Sequence, residues 1–440
     1  MKSQIPSLAQ IKKHLGFESF NTIQNETIEK SKTHNELILL SPTGSGKTLA
    51  FLLPLIEKIN FDLKEVQCVI IAPSRELALQ IEGVFKSMGT PFSINSVYGG
   101  HSFKIEEKNL SNPPHVLVGT PGRLADHIDK ETFDFSCVEY LILDEFDKAL
   151  EFGFQNDMEF IIEELRSIHY KMLTSATESD EIPDFVKMQN PTIMNHLGGQ
   201  LPPKLELKFV QADGVDKLAI LFKLICKVAS EPTLIFCNHR AAVDRIGEHL
   251  KENNIPQESF HGGMDQEQRE RALTKFRNGS VHVFLTTDLA ARGLDIPSIK
   301  HVIHYQLPPK EDAFIHRNGR TARMDKEGVT YLVMSSEDEF PEYIENTPTH
   351  LALPAIDQMP ELPEWETLYI SGGKKNKINK IDIVGLLAKK GKLQKEEIGL
   401  IEVKDFMSFV AVSRPKAKKV AEIVNKEKVK RLKIRVAIAK

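Results

Sequence analysis

The chain has 440 residues, of which 41% are hydrophobic and 27% are charged, and its formal net charge is −4. This composition is that of ordinary globular domains, so it excludes wholesale disorder, and the length indicates two to four domains. No apolar run approaches the roughly 20 residues that span a bilayer, and the N-terminus has no apolar signal segment, so we expect a cytoplasmic protein. Its four cysteines form no C-x-x-C pair, so we expect reduced thiols without a zinc site.

The charge is unevenly distributed along the chain. Residues 366–440 contain 20 Lys/Arg and 8 Asp/Glu, a net of +12, which leaves a net of −16 for residues 1–365. A basic segment after an acidic body is typical of proteins with a polyanionic partner, most simply nucleic acid. A solvated lysine-rich surface would give the same composition.

Short apolar runs alternate with helical periodicity through residues 1–200 and again through residues 205–345. This alternation predicts βαβ units and therefore two tandem α/β domains with parallel sheets. The candidate strands are residues 37–40, 69–72, 116–118, 140–143 and 172–173, then 233–237, 281–285, 301–305 and 329–334.

The remaining segments form a linker and a small domain. Five prolines between residues 341 and 363 predict a linker or extended strap, which we place at residues 346–364. Residues 365–440 then read as strands and helices in the order βαββαβ. This order is typical of a ferredoxin-like or RRM-like α+β domain.

A phosphate-binding loop is predicted between the first strand and the helix that follows it. Its residues are Thr43, Gly44, Ser45, Gly46, Lys47 and Thr48. The glycines let backbone N–H groups turn inward, Lys47 would reach the β- and γ-phosphates of a nucleotide, and Thr48 would bind Mg²⁺. Ser41 stands where the usual pattern begins with glycine, and a plain Gly-Ser loop is the alternative.

Two further pairs of charged residues would complete a phosphoryl-transfer site. Asp144 and Glu145 end a fully apolar strand, where Asp144 would hold Mg²⁺ and Glu145 would activate water. Arg320 and Arg323 lie three residues apart and share a helical face, so they are candidates for neutralising the transferring phosphate. The alternative for the two acids is an ordinary charged turn. The alternatives for the two arginines are an RNA-phosphate patch and a salt-bridged face.

The order of short motifs resembles the DEAD-box RNA helicases of superfamily 2. The matching segments are Gly16-Phe17 with Ile23-Gln24, SPTGSGKT, Pro73–Leu77, Gly99-Gly100, Thr120–Arg123, Asp144–Asp147, Ser175–Thr177, Leu234–Phe236, His261–Gly263, Thr287–Asp295 and HRNGRTAR. The resemblance implies two RecA-like domains. This chain has Phe146 where alanine is usual, Asn21 where proline is usual and Ala322 where glycine is usual, but it keeps Asp144, Glu145 and Asp147, so we expect hydrolysis to be retained.

The resemblance also implies roles for individual residues. Gln24 would read the adenine edge, Phe17 would stack on the adenine ring and Asp295 would bind the ribose. Arg320 and Arg323 would be arginine fingers, and His316 would link the γ-phosphate to RNA. The cofactors implied are ATP and Mg²⁺.

RNA contacts follow from the same resemblance. One strand would be held by its backbone, which makes binding tolerant of sequence. The residues concerned are Pro73, Arg75, Gly99, Gly100, Thr120, Gly122 and Arg123 in the first domain, and Thr287 and Asp288 in the second.

The C-terminal module resembles the RNA-binding domain of the DbpA-type subgroup, in which this domain targets structured ribosomal RNA. The match rests on residues 367–375, 398–401 and 409–412. Met407 and Val412 fall where stacking rings are expected in an RRM, so we expect binding through basic loops, with Lys374 and Lys375 as candidates. The subgroup implies pre-ribosomal particles as partners, and a monomer is the family default.

We therefore expect an RNA-stimulated ATPase in which ATP and RNA promote closure of the two α/β domains and each raises the affinity for the other. One closure would melt only a few base pairs, giving local and non-processive unwinding. An ATP-dependent RNA clamp or scaffold would share every motif, and a DNA translocase is a second alternative.

Overall fold

The computed structural model describes residues 5–42, 44–177, 182–197, 205–212, 214, 216–288, 296, 299–321, 327–344, 346–354, 358–430 and 432–439. The chain forms two compact units, which divide near residue 200. Within the described residues, no helix is both long enough and apolar enough to cross a membrane.

The first unit is an α/β domain built on a seven-stranded parallel sheet with the strand order β3-β4-β2-β5-β6-β1-β7. Its strands are β1 (Glu36–Leu40), β2 (Cys68–Ile71), β3 (Ile94–Val97), β4 (Val116–Gly119), β5 (Tyr140–Leu143), β6 (Tyr170–Ser175) and β7 (Thr192–Asn195). Its helices are α1 (Leu8–His14), α2 (Thr22–Lys30), α3 (Lys47–Lys58), α4 (Arg75–Ser87), α5 (Phe103–Leu110), α6 (Pro121–Asp129), α7 (Phe146–Glu151) and α8 (Gln155–Glu164).

The central strands are apolar throughout because helices cover both faces of the sheet. Every residue of β2, β4 and β5 is buried, and alternate residues join two separate hydrophobic clusters, one on each side. This is the pattern that a parallel sheet requires. It also means that the carboxyl ends of the strands, where the sequence motifs lie, open along one edge of the sheet.

The second unit begins with another seven-stranded parallel sheet, with the order β10-β11-β9-β12-β13-β8-β14. The strands are β8 (Leu205–Ala212), β9 (Thr233–Cys237), β10 (Gln257–Phe260), β11 (Val283–Thr287), β12 (His301–His304), β13 (Gly328–Ser335) and β14 (Thr349–His350). The helices are α9 (Lys217–Val228), α10 (Arg240–Glu252), α11 (Gln266–Arg277) and α12 (Glu311–Asn318). The expectation of two α/β domains is confirmed.

The proline-rich segment is partly built into this second domain. Thr349 and His350 form β14, which pairs with β8 at the sheet edge, and Leu351 donates its N–H to the Phe209 carbonyl at 2.7 Å. Tyr343 packs against Phe314, whose ring centroid lies 5.2 Å away. Tyr343 and residues 349–351 therefore pack as part of a strap along the second α/β domain.

The C-terminal part of the second unit is the βαββαβ domain expected from the sequence. Its elements are β15 (Trp365–Ile370), α13 (Lys380–Lys389), β16 (Ile398–Val403), β17 (Ser408–Ser413), α14 (Arg414–Val424), a small pair β18 (Lys428–Val429) and β19 (Leu432–Lys433), and β20 (Val436–Ile438). The four-stranded antiparallel sheet has the order β16-β17-β15-β20, and the two helices pack on one of its faces.

One detail of the expected C-terminal sheet is wrong. Val412, which the sequence suggested at a stacking position, is fully buried in the core beneath the helices. Side chains alternate along a strand, so the opposite face carries Tyr369 and Phe409 instead, and their rings lie 5.9 Å apart.

Candidate active site and RNA interface

The phosphate loop leads from the carboxyl end of β1 into the N-terminus of α3. Gly44 and Gly46 have φ values of +81° and +93°, a left-handed conformation that favours glycine. A Cβ at Gly46 would lie 2.6 Å from the Gln24 amide nitrogen, so a side chain here would displace the Gln24 amide. Buried Lys47 donates to the carbonyls of Ser41 and Pro42, at 2.5 and 3.3 Å, and thereby closes the loop on itself.

Asn21 and Gln24 connect helix α2 to the phosphate loop. Asn21 caps α2 by accepting from the Gln24 N–H at 2.9 Å, and its side-chain amide donates to the Ser45 carbonyl at 2.8 Å. The Gln24 amide donates to the Gly46 carbonyl at 3.4 Å. Asn21 therefore forms a side-chain hydrogen bond to the loop that proline could not form. Sequence analysis noted Asn21 but did not predict this contact. Phe17 is 41% exposed, as a stacking ring must be.

Asp144 lies at the carboxyl end of β5 beside the phosphate loop. Its Oδ1 accepts from the Thr174 hydroxyl at 2.5 Å and from the Glu145 N–H at 3.1 Å. Burial raises the pKa of Asp144, while the hydrogen bond from Thr174 and the charge of Lys47 oppose that rise. A divalent cation at this carboxylate would stabilise its ionised form.

Thr174 is a site residue that sequence analysis missed. β5 and β6 are paired with Leu143 opposite Leu173, so the next residues along, Asp144 and Thr174, come side by side. The hydroxyl of Thr174 also accepts from the Glu145 N–H at 3.2 Å. Thr174 could have been identified only from the register between β5 and β6, which cannot be read from the sequence.

Glu145 has a strained backbone. Its φ of 46° and ψ of 51° place it in the left-handed region, which few residues other than glycine adopt. Such strain costs of the order of 1–3 kcal/mol and is concentrated at functional sites. It turns the chain sharply between β5 and α7, immediately after Asp144.

The contacts of Asp147 and Phe146 show how the fold accommodates the unusual DEFD sequence. The Thr177 hydroxyl donates to Asp147 Oδ2 at 3.1 Å, so the contact between these two motifs is present. Phe146 points away from it into the hydrophobic core, where its ring lies 6.3 Å from that of Phe185. Lys148 is buried and pairs with Asp147 at 3.2 Å and with Glu151 at 2.7 Å.

The predicted RNA-backbone motifs of the first domain meet at one edge of its sheet, because they follow the adjacent strands β2, β3 and β4. Arg75 lies over the Tyr98 ring at 4.4 Å and beside Gly100. Arg123 donates to the carbonyls of Tyr98 and His101 at 3.3 and 2.9 Å. Gly99 and Gly100 are exposed, Thr120 and Gly122 are half-buried at the start of α6, and Pro73 is buried.

Glu106 holds two of these motifs together and was also missed. Its carboxylate accepts from the Tyr98 N–H at 3.2 Å and lies 3.4 Å from Arg123 Nε and 3.1 Å from His127 Nε2. Burial by itself would raise the pKa of Glu106, but the hydrogen bonds from His127 and Tyr98 and the charge of Arg123 lower it overall. The carboxylate therefore stays ionised and fixes the loop around Gly99 and Gly100.

In the second domain, Arg317 forms hydrogen bonds to residues at the carboxyl ends of three strands, β9, β11 and β12. Its guanidinium forms two bonds to the Asp288 carboxylate, at 2.6 and 2.7 Å, and donates to Asn238 Oδ1 at 2.7 Å and to the Gln306 carbonyl at 2.6 Å. Arg317 is 1% exposed. The Asp288 carboxylate is thus held by Arg317, although its side chain is still 27% exposed.

The remaining predicted residues of the second unit are placed as follows. Thr287 ends β11 and is half-buried, whereas His316 and Arg320, around the end of α12, are buried. Lys374 and Lys375 are exposed in a short 3₁₀ turn of the C-terminal domain. Thr43, Asp295 and Arg323 lie outside the described residues.

Comparisons with known proteins agree with this arrangement over all three folded parts. Residues 21–185 match the DEAD/DEAH box helicase family, residues 216–325 match the helicase conserved C-terminal domain, and residues 367–438 match the DbpA RNA binding domain. The chain is 31% identical over 455 aligned positions to the ATP-dependent RNA helicase DbpA of Bacillus subtilis (strain 168), covering 96% of this chain and 95% of that relative.

The chain is a DEAD-box RNA helicase of the DbpA type. It is an ATP-hydrolysing enzyme that binds RNA. A second relative is the DEAD-box ATP-dependent RNA helicase CshA of Bacillus cereus, which is 34% identical over 337 positions; the match covers 76% of this chain and 64% of CshA.

Solved structures of DEAD-box helicases have the same fold. The S. cerevisiae Dbp5 bound to RNA and ADP BeF3 superposes with a TM-score of 0.70 at 25% identity, over 78% of this helicase and 94% of Dbp5. This likeness and the two helicase family matches establish the two RecA-like domains, and the match at residues 367–438 establishes the additional α+β domain as a DbpA RNA binding domain.

Proposed function

We propose that this helicase hydrolyses ATP with Mg²⁺ to remodel short duplexes in structured ribosomal RNA, locally and without processive movement. It would do so as a cytoplasmic monomer in ribosome biogenesis. The observation that carries the proposal is that one chain combines a strand-end acid pair at a phosphate loop with a folded, basic DbpA-type RNA-binding domain.

Mg²⁺ fits the residues at the phosphate loop. Magnesium is usually held by one or two carboxylates together with substrate phosphates, rather than by an all-protein cage. Thr48, on the first turn of α3, offers a hydroxyl, and Asp144 offers a buried carboxylate whose ionised form the cation would stabilise. The ion would supply charge to stabilise the transferring phosphate.

The chain's own residues do the remaining work of hydrolysis. Lys47 holds the β- and γ-phosphates, Glu145 orients and deprotonates the attacking water, and Arg320 adds positive charge to the phosphoryl group. Asp295 and Arg323 complete the proposed nucleotide contacts. Gln24 and Phe17 select adenine.

RNA is proposed to bind in two modes. The motifs around Arg75, Gly100 and Arg123, with Thr287 and His316 in the second domain, hold a single strand by its backbone. Dbp5 was solved bound to RNA and Mss116p bound to ssRNA, which supports this mode. Lys374 and Lys375, in a domain with a net charge of +12, hold structured RNA.

Local unwinding follows from the energy available in one binding event. A base-pair step costs about 1–2 kcal/mol to open on DNA stacking figures. Because each further pair adds this cost, we expect one binding event to melt only a few pairs. Hydrolysis then resets the enzyme.

The catalytic assignment is tested with Glu145→Gln. We expect the RNA-stimulated ATPase rate to fall at least about 100-fold, while ATP affinity is retained, because the general base is lost and the binding groups are kept. Glu57→Gln, an exposed position in the same domain, is the matched control and should hydrolyse ATP at the wild-type rate. A Glu145→Gln rate near wild type would refute the assignment.

A strand-displacement assay tests the remodelling activity. The wild-type enzyme should separate a short RNA duplex next to ribosomal RNA structure in an ATP-dependent reaction, and it should not separate a DNA duplex. RNA binding and ATP turnover without displacement would instead identify an ATP-dependent clamp.

A further inference from the structure

The carboxyl end of β6 lies between the two strands that lead into the proposed hydrolysis site. β6 pairs on one side with β5, which leads into Asp144, and on the other side with β1, which leads into the phosphate loop. The Ser41 N–H, at the start of that loop, donates to the Ser175 carbonyl at 2.9 Å. Thr174, the residue before Ser175, is 0% exposed. Its side chain is therefore enclosed beside the proposed acids.

The hydroxyl of Thr174 is hydrogen-bonded to both residues of the acid pair. It donates its one proton to Asp144 Oδ1 at 2.5 Å and accepts from the Glu145 N–H at 3.2 Å. The Glu145 N–H also donates to Asp144 Oδ1 at 3.1 Å, so the three groups form a closed triangle. Both donors meet Oδ1 rather than Oδ2, which holds the carboxylate in one orientation.

The same hydroxyl stabilises the strained turn at Glu145. A residue with a side chain keeps a positive φ, here 46°, only where the surrounding contacts impose it. Thr174 supplies one of these contacts, because it accepts from the N–H of the strained residue itself. Without the hydroxyl, the peptide group between Asp144 and Glu145 would lose one of its acceptors and could rotate.

Packing alone does not require a hydroxyl at Thr174. Valine has nearly the same shape as threonine, and a hydroxyl removed from water is costly unless it is hydrogen-bonded. The preceding residues of β6, Met172 and Leu173, are apolar and buried. The hydroxyl therefore serves its two partners, Asp144 and Glu145, rather than the interior of the sheet.

We propose that Thr174 is a positioning residue for ATP hydrolysis, which holds the Asp144 carboxylate and the Glu145 backbone in the orientation that the reaction uses. This inference rests on the proposed roles of Asp144 in binding Mg²⁺ and of Glu145 in orienting water. Removal of a group that orients a metal-binding carboxylate typically lowers metal affinity or activity by about 10–100-fold.

The test uses the full chain with MgCl₂, ATP and poly(A) as probes. For Thr174→Val at saturating Mg²⁺ we expect kcat to fall about 10-fold or more, while KM for ATP and RNA affinity without nucleotide stay within about threefold of wild type. The Mg²⁺ concentration for half-maximal binding of a non-hydrolysable ATP analogue should rise about 10-fold. This binding measurement does not depend on turnover.

A second pair of variants isolates the hydroxyl from the volume of the side chain. Thr174→Ser keeps the hydroxyl, and Thr174→Ala differs from it only in lacking that group. We expect Thr174→Ser to keep kcat within about threefold of wild type and Thr174→Ala to behave like Thr174→Val. Denaturant unfolding of each variant establishes the fraction that is folded.

Thr27→Val is the matched control. Thr27 is also a 0% exposed threonine of the first domain, but its hydroxyl donates to the Ile23 carbonyl at 2.8 Å, within helix α2. The substitution is the same and the acid pair is untouched. This variant should keep the kcat and the Mg²⁺ dependence of wild type.

The outcomes separate the two proposals. If Glu145→Gln hydrolyses ATP near the wild-type rate, the proposed catalytic assignment fails. If Glu145→Gln is inactive and Thr174→Val keeps the kcat and the Mg²⁺ dependence of wild type, only the positioning inference is overturned. Equal kcat values for Thr174→Ser and Thr174→Ala would overturn it as well, and this pair decides if Thr174→Val does not fold.

Discussion

Single residues at the proposed hydrolysis site divide into groups proposed to bind the nucleotide and groups that stabilise the fold. Phe146 belongs to the second kind, since its ring is 4% exposed and packs in the cluster that contains Phe185. Phe146→Ala creates the alanine usual in this motif but leaves a cavity, so we expect the first domain to lose about 3–5 kcal/mol of stability. At 15 °C the folded enzyme should keep an ATPase rate within about threefold of wild type.

Denaturant unfolding and ATPase assays at the same temperature check this expectation for Phe146. Phe185→Ala is the companion variant, and the double variant should lose less stability than the sum because the two rings share one cluster. A Phe146→Ala enzyme with unchanged stability and a tenfold slower ATPase would show that the ring acts on the site instead.

Motif residues were predictable from the sequence because their chemistry and spacing are local. Asp144 and Glu145 directly follow the apolar strand β5, and Lys47 begins α3 after the loop that leaves β1. Their roles in hydrolysis are the ones proposed above. Thr174 and Glu106 were not predictable, since each acts on a partner in another element of the chain. Asn21 was noticed only as an exception, and its hydrogen bond to Ser45 explains it.

Elements of the second domain are tied together by the buried guanidinium of Arg317 on α12. Arg317→Ala would leave the side chains of Asp288 and Asn238 without their hydrogen-bond donor. Removal of one partner of a buried ion pair lowers the free energy of unfolding by about 3–5 kcal/mol. Arg317→Lys keeps the positive charge but not the planar guanidinium with its several donors, so we expect an intermediate loss of stability. Denaturant unfolding of the full chain measures the free energy of unfolding of the wild type and of both variants.

Arg245 is the matched control for Arg317. It pairs with Asp216 at 3.0 Å, but these side chains are 61% and 57% exposed. Exposed pairs contribute at most about 1 kcal/mol, so Arg245→Ala should have little effect. Equal losses at positions 317 and 245 would contradict the role of Arg317 as a buried junction.

At the level of elements, most central strands of the two α/β domains were predicted, whereas their edge strands and β8, which lies next to an edge, were missed. β3 and β10 lie at the ends of their sheets and carry polar residues, such as Asn95 and Glu258, because only one side is paired and the faces are less covered. The strap strand β14 was missed for the same reason and because prolines surround it. The C-terminal sheet contacts the second α/β domain, for example where the Asn278 amide donates to the Thr367 hydroxyl at 2.8 Å, and no local sequence pattern encodes such a contact.

The whole molecule should lose stability as the solution becomes mildly acidic. Burial lowers the pKa of His304 well below its usual value, and burial also lowers the pKa of His282 and His301; all three lie in the second unit. Unfolded histidine takes up a proton near pH 6.5, whereas these folded side chains resist it. Below that pH the unfolded state therefore binds more protons, and stability falls by up to about 1.4 kcal/mol per pH unit for each such site.

Calorimetric unfolding at pH 7.5, 6.5 and 5.5 measures this loss, which should appear in the transition of the second unit. His304 contributes most, because it is fully buried between Asn318 and the positively charged Arg317 and must remain neutral. His304→Gln can keep a donor to Asn318 without titrating, so it should flatten the pH dependence even if it lowers stability at pH 7.5. The exposed His239→Gln variant should retain the wild-type slope. A His304→Gln protein whose stability falls with pH as steeply as that of wild type would show that protonation elsewhere drives acid unfolding.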